Sequence, residues 1–191
     1  MWGKIVRDES GNILKVQGYK AFAADGTNMY GEVLEAGKKY HRDGEITYGQ
    51  KGNGYHLAYS LEDTLKFCTL DKRGLVSKPM IAMVIATGDI VSSNVPDNDY
   101  IGYYDLFACS DLEVVKFLTR EEIISYGLRL SYDSRRRFIT YFELTPEEMM
   151  LFWDKMGIDN EYILISQFGL SYEQAYENRN NSKILTMKYR G

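Results

Sequence analysis

The chain has 191 residues, yet it holds three prolines, two cysteines, two histidines and two tryptophans, and each scarcity excludes something. Few prolines and no low-complexity tract exclude a long disordered linker. Two cysteines, Cys68 and Cys109, cannot build a disulfide framework. Both stand in apolar company and read as buried free thiols of a reducing compartment. Together with His41 and His56 they are the available soft metal ligands, and none sits at a paired spacing such as Cys-x-x-Cys or His-x-x-x-His, so no metal is expected. No apolar run has the length that crosses a bilayer. The start, Met-Trp-Gly-Lys-Ile-Val-Arg-Asp-Glu, turns charged too early for a signal peptide. The expectation is a soluble, cytoplasmic protein with no membrane partner.

Catalytic signatures are missing too. There is no Gly-x-Ser-x-Gly elbow and no cysteine–histidine nucleophile pattern. Gly49, Gly52 and Gly54 are not followed by Lys-Ser/Thr and precede a strand-like run, so they read as turn glycines and not as a phosphate loop. A net charge of −4 argues against a general nucleic-acid coat, which needs a basic surface. Arg135-Arg136-Arg137 is a compact basic run and reads as a solvated loop face. Glu121-Glu122 and Glu147-Glu148 fall in first helical turns, where they complement the helix dipole without acid–base work.

What the chain does have is tyrosine, sixteen copies, many beside apolar or β-branched residues, as suits half-buried strands. Turn signals at Gly11-Asn12, Asp25-Gly26, Asp43-Gly44 and Asn53-Gly54 separate short runs at 13–16, 19–22, 39–41, 45–48 and 55–59, which read as strands of hairpins. Met80–Ala86 is apolar without alternation and reads as a strand buried on both faces. Leu112–Leu118, pairing with Tyr104–Ala108, and Phe138–Phe142 and Tyr162–Ile165 read as further strands. Four boxes mark helix starts: Ser60-Leu-Glu-Asp63, Thr119-Arg-Glu-Glu122, Thr145-Pro-Glu-Glu148 and Ser171-Tyr-Glu-Gln174. After Thr145, the residues Met149, Phe152, Trp153 and Met156 recur at helical spacing and predict a buried face. The fold class expected is α+β, with a mixed, mostly antiparallel sheet and about four helices. Residues 1–125 form the expected core, and residues 126–191 a C-terminal extension packed on it.

The segment Gly54-Tyr-His-Leu-Ala-Tyr-Ser60 reads as a strand running into a helix cap. Such junctions can take an anion or nucleotide, because the first helical N–H groups lack internal partners. Strand alternation puts Tyr55, Leu57 and Tyr59 on one face and His56 with Ala58 on the other. The alternative is that His56 and Tyr59 make only core or hairpin hydrogen bonds.

In order along the chain, Gly18-Tyr-Lys-Ala-Phe22, Glu32-Val-Leu-Glu-Ala-Gly-Lys-Lys-Tyr40, Gly44-Glu-Ile46, Gly54-Tyr-His56 and Ile85-Ala-Thr-Gly-Asp-Ile-Val91 resemble a small uncharacterised domain family of bacterial and phage proteins, over about residues 18–124. That family implies no activity. A second resemblance is to the ADP-ribosyltransferase fold, in which a basic or histidine residue on a first strand holds NAD and a later strand brings a glutamate. It implies Lys20, Tyr59 and Ser60, and Glu113 or Glu143, in those places. Lys20 stands where that fold has arginine or histidine, and no Glu-x-Glu or Gln-x-Glu strand motif is present. Two functions follow. One is a non-catalytic binding or accessory protein without cofactor, whose partner is a protein or a small anionic ligand. The other is an NAD-dependent transferase. The ligand-binding candidates are Lys20, His56, Tyr59, Ser60, Glu113 and Glu143.

Overall fold

The computed structural model describes residues 3–28, 30–48, 52–67, 79–93 and 106–142, and beyond them 144, 145, 147–149, 151, 152, 171 and 173. Six strands and three helices are delimited among these: β1 (Lys4–Arg7), β2 (Ile13–Phe22), β3 (Lys39–His41), β4 (Tyr55–Ala58), α1 (Leu61–Thr64), β5 (Met80–Ser93), β6 (Leu106–Phe117), α2 (Arg120–Gly127) and α3 (Tyr132–Phe142). The described residues are α+β, with three helices delimited among them against about four expected; residues 147–149, 151 and 152 are helical as well, and every described strand pairing is antiparallel. The chain divides into two compact units, Met1–Ile123 and Ile124–Gly191.

In the first unit the pairings close on themselves. β5 pairs with β2 and with β6, and β4 also joins β2 to β6, so β2, β4, β6 and β5 form a circuit. β1 extends the edge of β2, and β3 lies along β6. Register places Val16, Gly18, Lys20 and Phe22 opposite Ala86, Val84, Ala82 and Met80. That face of the sheet is the core, gathering Val16, Phe22, Tyr55, Leu57, Val84, Phe107, Leu112 and Val114. Burying each such side chain contributes roughly 1.5–3 kcal/mol. β5 is sealed on this face; on the other, Ile81 is fully buried and Met83 and Ile85 are half-buried, so the expected burial on both faces holds at Ile81 and only in part beyond it.

The join of β2 to β4 is short, a single pairing of Tyr19 with Ala58. Gly18 makes it, because a Cβ there would stand 2.4 Å from the Ala58 carbonyl oxygen. A second glycine shapes β5. Gly88 has φ +73° at a register shift between Thr87 and Ile90, and a Cβ there would meet the Ser110 and Asp111 side chains at 2.1 and 2.0 Å. The strand therefore bends and runs on to Ser93.

Other expectations are corrected. The expected partner strands 112–118 and 104–108 are, over 112–117 and the described residues 106–108, parts of one continuous strand, 106–117, with no turn at Ser110-Asp111. Glu45–Tyr48 is not a strand. Asn53 holds it as a loop, its side-chain amide donating to the Asp43 and Glu45 carbonyls at 2.8 and 3.3 Å, while Ile46 is buried. Phe138–Phe142 lies in helix α3, along with Arg135–Arg137, which is neither a loop nor followed by a strand. The helical spacing is the reason: Phe138 and Phe142 stack one turn apart with ring centroids at 4.5 Å. Cys68, Trp153, Met156, Tyr162–Ile165 and the box from Ser171 to Gln174, apart from residues 171 and 173, lie outside the described residues.

In the second unit Phe152 is fully buried and stacks on Phe138 at 5.6 Å, and Met149 is buried beside it in the chain, so these two positions of the expected face are core. Thr145 heads that segment as a capping box: its hydroxyl accepts from the Glu148 amide at 3.2 Å, and the Glu148 carboxylate accepts from the Thr145 amide at 2.9 Å. Thr145→Ala should lower stability by about 1 kcal/mol, read as a lower denaturation midpoint at unchanged slope. Phe152→Ala should cost about 3–5 kcal/mol in the same measurement.

Candidate functional site

Lys20 is the unusual residue of the first unit. Strand alternation turns it toward the apolar core, and it is 6% exposed. Its amine donates to the His56 carbonyl at 2.7 Å, just past the point where β2 and β4 stop pairing. A lysine side chain thus supplies the bond that a strand amide would have made. No carboxylate forms an ion pair with Lys20 among the described residues. Burial pulls its pKa down to about 8, which Glu32 and Cys109 partly oppose and Arg42 reinforces.

The carboxylate that could have served it, Glu32, is engaged elsewhere. Arg42 donates to one oxygen at 2.6 Å and Asn28 to the other at 2.7 Å. Asn28 also receives the Tyr30 and Glu32 amides on its side-chain oxygen, which fixes this turn. Arg42 lies over two rings, 4.5 Å from the centre of Tyr30 and 4.8 Å from that of Tyr55.

His56 stands where these groups meet. Its Nδ1 is 3.3 Å from the Tyr30 hydroxyl, which is 3.1 and 3.4 Å from the Gly52 and Gly54 carbonyls. The assignment satisfying most groups has Tyr30 donating to a carbonyl and accepting from Nδ1–H, which leaves a bare lone pair on Nε2. That nitrogen is buried and has no hydrogen-bond partner. The ring of Tyr48 meets the imidazole edge-on at 5.3 Å. Burial lowers the His56 pKa to about 4, and the Lys20 and Arg42 charges push the same way.

Of the residues expected from sequence, the structure brings the Lys20 amine to the main-chain carbonyl of His56, while the His56 ring lies on the face of β4 opposite Tyr55 and Leu57. Tyr59 shares the Tyr55 and Leu57 face and packs against the apolar cluster, while its carbonyl accepts from the Gly3 amide at 2.8 Å. Ser60 is the N-cap of α1, accepting from the Asp63 amide at 3.0 Å and donating to the Asp63 carboxylate at 2.6 Å. That helix has four residues and carries Glu62 and Asp63 in its first turn, so its amide end is already served by acid. Glu113 lies between Leu112 and Val114 and so points away from the core face; it pairs with Lys39 at 3.7 Å. Glu143 lies outside the described residues. Sequence reading passed over Arg42, Tyr30, Tyr48, Asn28 and Glu32 as site residues. Glu32 stood in a quoted motif, but no spacing tied it to Lys20.

A second polar cluster sits where β3 meets β6. Ser110 donates to Asp111 at 2.7 Å, Asp111 binds His41 Nδ1 at 2.7 Å, and Asp43 lies 3.2 Å from His41 Nε2. It resembles a catalytic triad in composition and not in order, since the serine proton points to a carboxylate and no base faces the serine oxygen. The Asp111 bond raises the His41 pKa; the Ser110 and His41 bonds lower that of Asp111. Among the described residues no group of His, Cys, Asp and Glu side chains could hold a metal. Cys109, fully buried, donates its thiol toward the Tyr55 carbonyl at 3.5 Å, and burial pushes its pKa up to about 12.

The Lys20 pKa has a definite pH consequence. The folded value of about 8 lies below the ordinary 10.5, so between these limits the unfolded chain holds a proton that the folded one lacks. Stability attributable to Lys20 therefore rises with pH across that window, and below it the buried charge costs on the order of 3 kcal/mol. Lys20→Met removes that cost and leaves the His56 carbonyl unbonded, which costs about 1–3 kcal/mol. The variant should be no less stable than wild type at pH 7. The stability difference between the two should shift in favour of wild type from pH 8 to pH 10, measured by denaturant unfolding. Taking the difference cancels the Cys109 and tyrosine titrations, which run the opposite way. His56, neutral in the fold, costs stability as pH falls from 6.5 through about 4.

Among the described residues no helix is long and apolar enough to cross a membrane. Comparison with family models, curated proteins and solved structures finds no match to this chain.

Proposed function

We propose that the chain is a non-catalytic binding or accessory protein, and that it takes a small anionic ligand beside Lys20, His56 and Arg42. The observation that carries this reading is a lysine more than nine-tenths buried, with one hydrogen bond and no ion pair among the described residues. A buried ammonium is costly unless something compensates it, and an anion is the natural complement. Arg42 adds positive potential near Lys20 and lies over the rings of Tyr30 and Tyr55.

The transferase alternative needs a glutamate facing Lys20 and Tyr59. Glu113 is turned to the other face, and Glu32 is already held by Arg42 and Asn28. Binding without chemistry fits this arrangement better.

The test is a thermal-shift screen with sulfate, small dicarboxylates, mononucleotides and NAD. A ligand that binds the folded state stabilises it by mass action, by about 2.7 kcal/mol at a hundredfold excess over Kd. At least one anion should raise Tm in wild type and in Glu113→Gln, and not in Lys20→Met. A response that survives Lys20→Met places the ligand elsewhere. Release of nicotinamide from NAD, abolished in Glu113→Gln, would establish the transferase instead.

A further inference from the structure

We propose that Asn53 is a modification site of this protein: its deamidation, by ring closure onto the Gly54 nitrogen, unlocks the segment 43–48 and takes the Tyr48 ring off His56. It requires no anion at Lys20. Asn53-Gly54 is the chain's single Asn-Gly pair, and packing imposes both residues. Gly54 has φ +123°, and a Cβ there would stand 3.0 Å from Ile46 Cγ2 and 3.2 Å from the Cys109 carbonyl oxygen. Asn53 Nδ2 has two N–H groups and two carbonyl partners, Asp43 at 2.8 Å and Glu45 at 3.3 Å, a role no carboxylate can fill. Its main chain closes the same loop. The Thr47 amide donates to the Asn53 carbonyl at 3.0 Å, and the Asn53 amide donates to Thr47 Oγ1 at 3.0 Å.

The same pair is chemically weak. Glycine has no side chain to shield its nitrogen, so once deprotonated that nitrogen can attack Cγ of the preceding asparagine. The N–Cγ bond forms, the Cγ–Nδ2 bond breaks, and the amide leaves as ammonia, taking its proton from solvent. Water then opens the cyclic imide at either carbonyl. The product is aspartate, or isoaspartate with the chain routed through the former side chain. Asparagine and water have become acid and ammonia, and nothing is oxidised or reduced. In the folded loop the leaving nitrogen is the atom held by two carbonyls, so its departure strips both bonds at once. The reaction is therefore confined to moments when the loop is open. Its product cannot rebuild the clamp. A carboxylate sets oxygen against the Asp43 and Glu45 carbonyl oxygens, which lose their donor. The segment so released carries Ile46, 8% exposed, and Tyr48, edge-on to His56 at 5.3 Å. β4 begins beyond Gly54 and keeps its pairing with β6.

The experiment ages the intact chain at mildly alkaline pH, in buffer and in urea, and follows Asn53 by peptide mass spectrometry with detection of isoaspartate. Conversion should be slower in buffer than in urea by roughly tenfold or more, because loop opening must precede it. Thr47→Val, which removes one hold on Asn53, should convert faster than wild type in buffer and at the same rate in urea. The converted protein carries an added negative charge and is separated by anion exchange. It should lose the NMR contact between the Tyr48 and His56 rings while keeping the contacts between β2 and β5. Asn53→Asp should show the same loss; if that variant does not fold, the converted wild type gives the reading, since it is made from folded protein. Equal rates in buffer and urea, or no conversion in urea, overturn the proposal. So does a contact between Tyr48 and His56 that survives conversion, or a conversion that unfolds the whole sheet.

Discussion

The first unit depends on how β4 is held. Its pairings with β6 run the length of the strand, but toward β2 it has one register pair, Tyr19 with Ala58. Two further bonds complete that side: the Gly3 amide to the Tyr59 carbonyl at 2.8 Å, and the Lys20 amine to the His56 carbonyl at 2.7 Å. A strand whose backbone groups are buried must satisfy them, and where the ladder ends a side chain must reach in. That requirement closes the circuit of β2, β4, β6 and β5, and it brings a cation into an apolar core.

The electrostatics follow from that cation. Lys20 is drawn down, His56 is kept neutral, and Glu32 is consumed by Arg42 and Asn28. Arg42, held between the Tyr30 and Tyr55 rings, is both the partner of Glu32 and a reason His56 stays unprotonated. The cluster of His41, Asp111 and Asp43 shows the opposite balance: a histidine between carboxylates, 59% exposed, with its pKa raised. Two histidines in one chain are thus driven apart by what surrounds them.

Caps and alternation were legible because they are local. The boxes at Ser60, Thr119 and Thr145 form the bonds their spacing implies, since donor and acceptor are three residues apart. Alternation through Tyr55, His56 and Leu57 read correctly, because a strand has no other way to place successive side chains. Local reading failed where two local solutions compete. Phe138-Ile-Thr-Tyr-Phe142 has strand composition, but the stacking of Phe138 on Phe142 requires a helix. Glu45–Tyr48 has strand alternation, but Asn53 takes the carbonyls a partner strand would need.

By itself the sequence determined the mostly antiparallel α+β class and the helix starts at Ser60, Thr119 and Thr145, which rest on short-range geometry; Lys20 was a candidate only through a family resemblance. Tertiary structure decided that Lys20 is buried and bonded to the His56 carbonyl, that Glu113 faces away, that Tyr30 and Tyr48 meet the His56 ring, and that Arg42 lies over Tyr30 and Tyr55. Those outcomes turn on register and on which strands are neighbours. Register is a property of pairs of strands distant in the chain, and a shift of one residue would send each of these side chains to the opposite face.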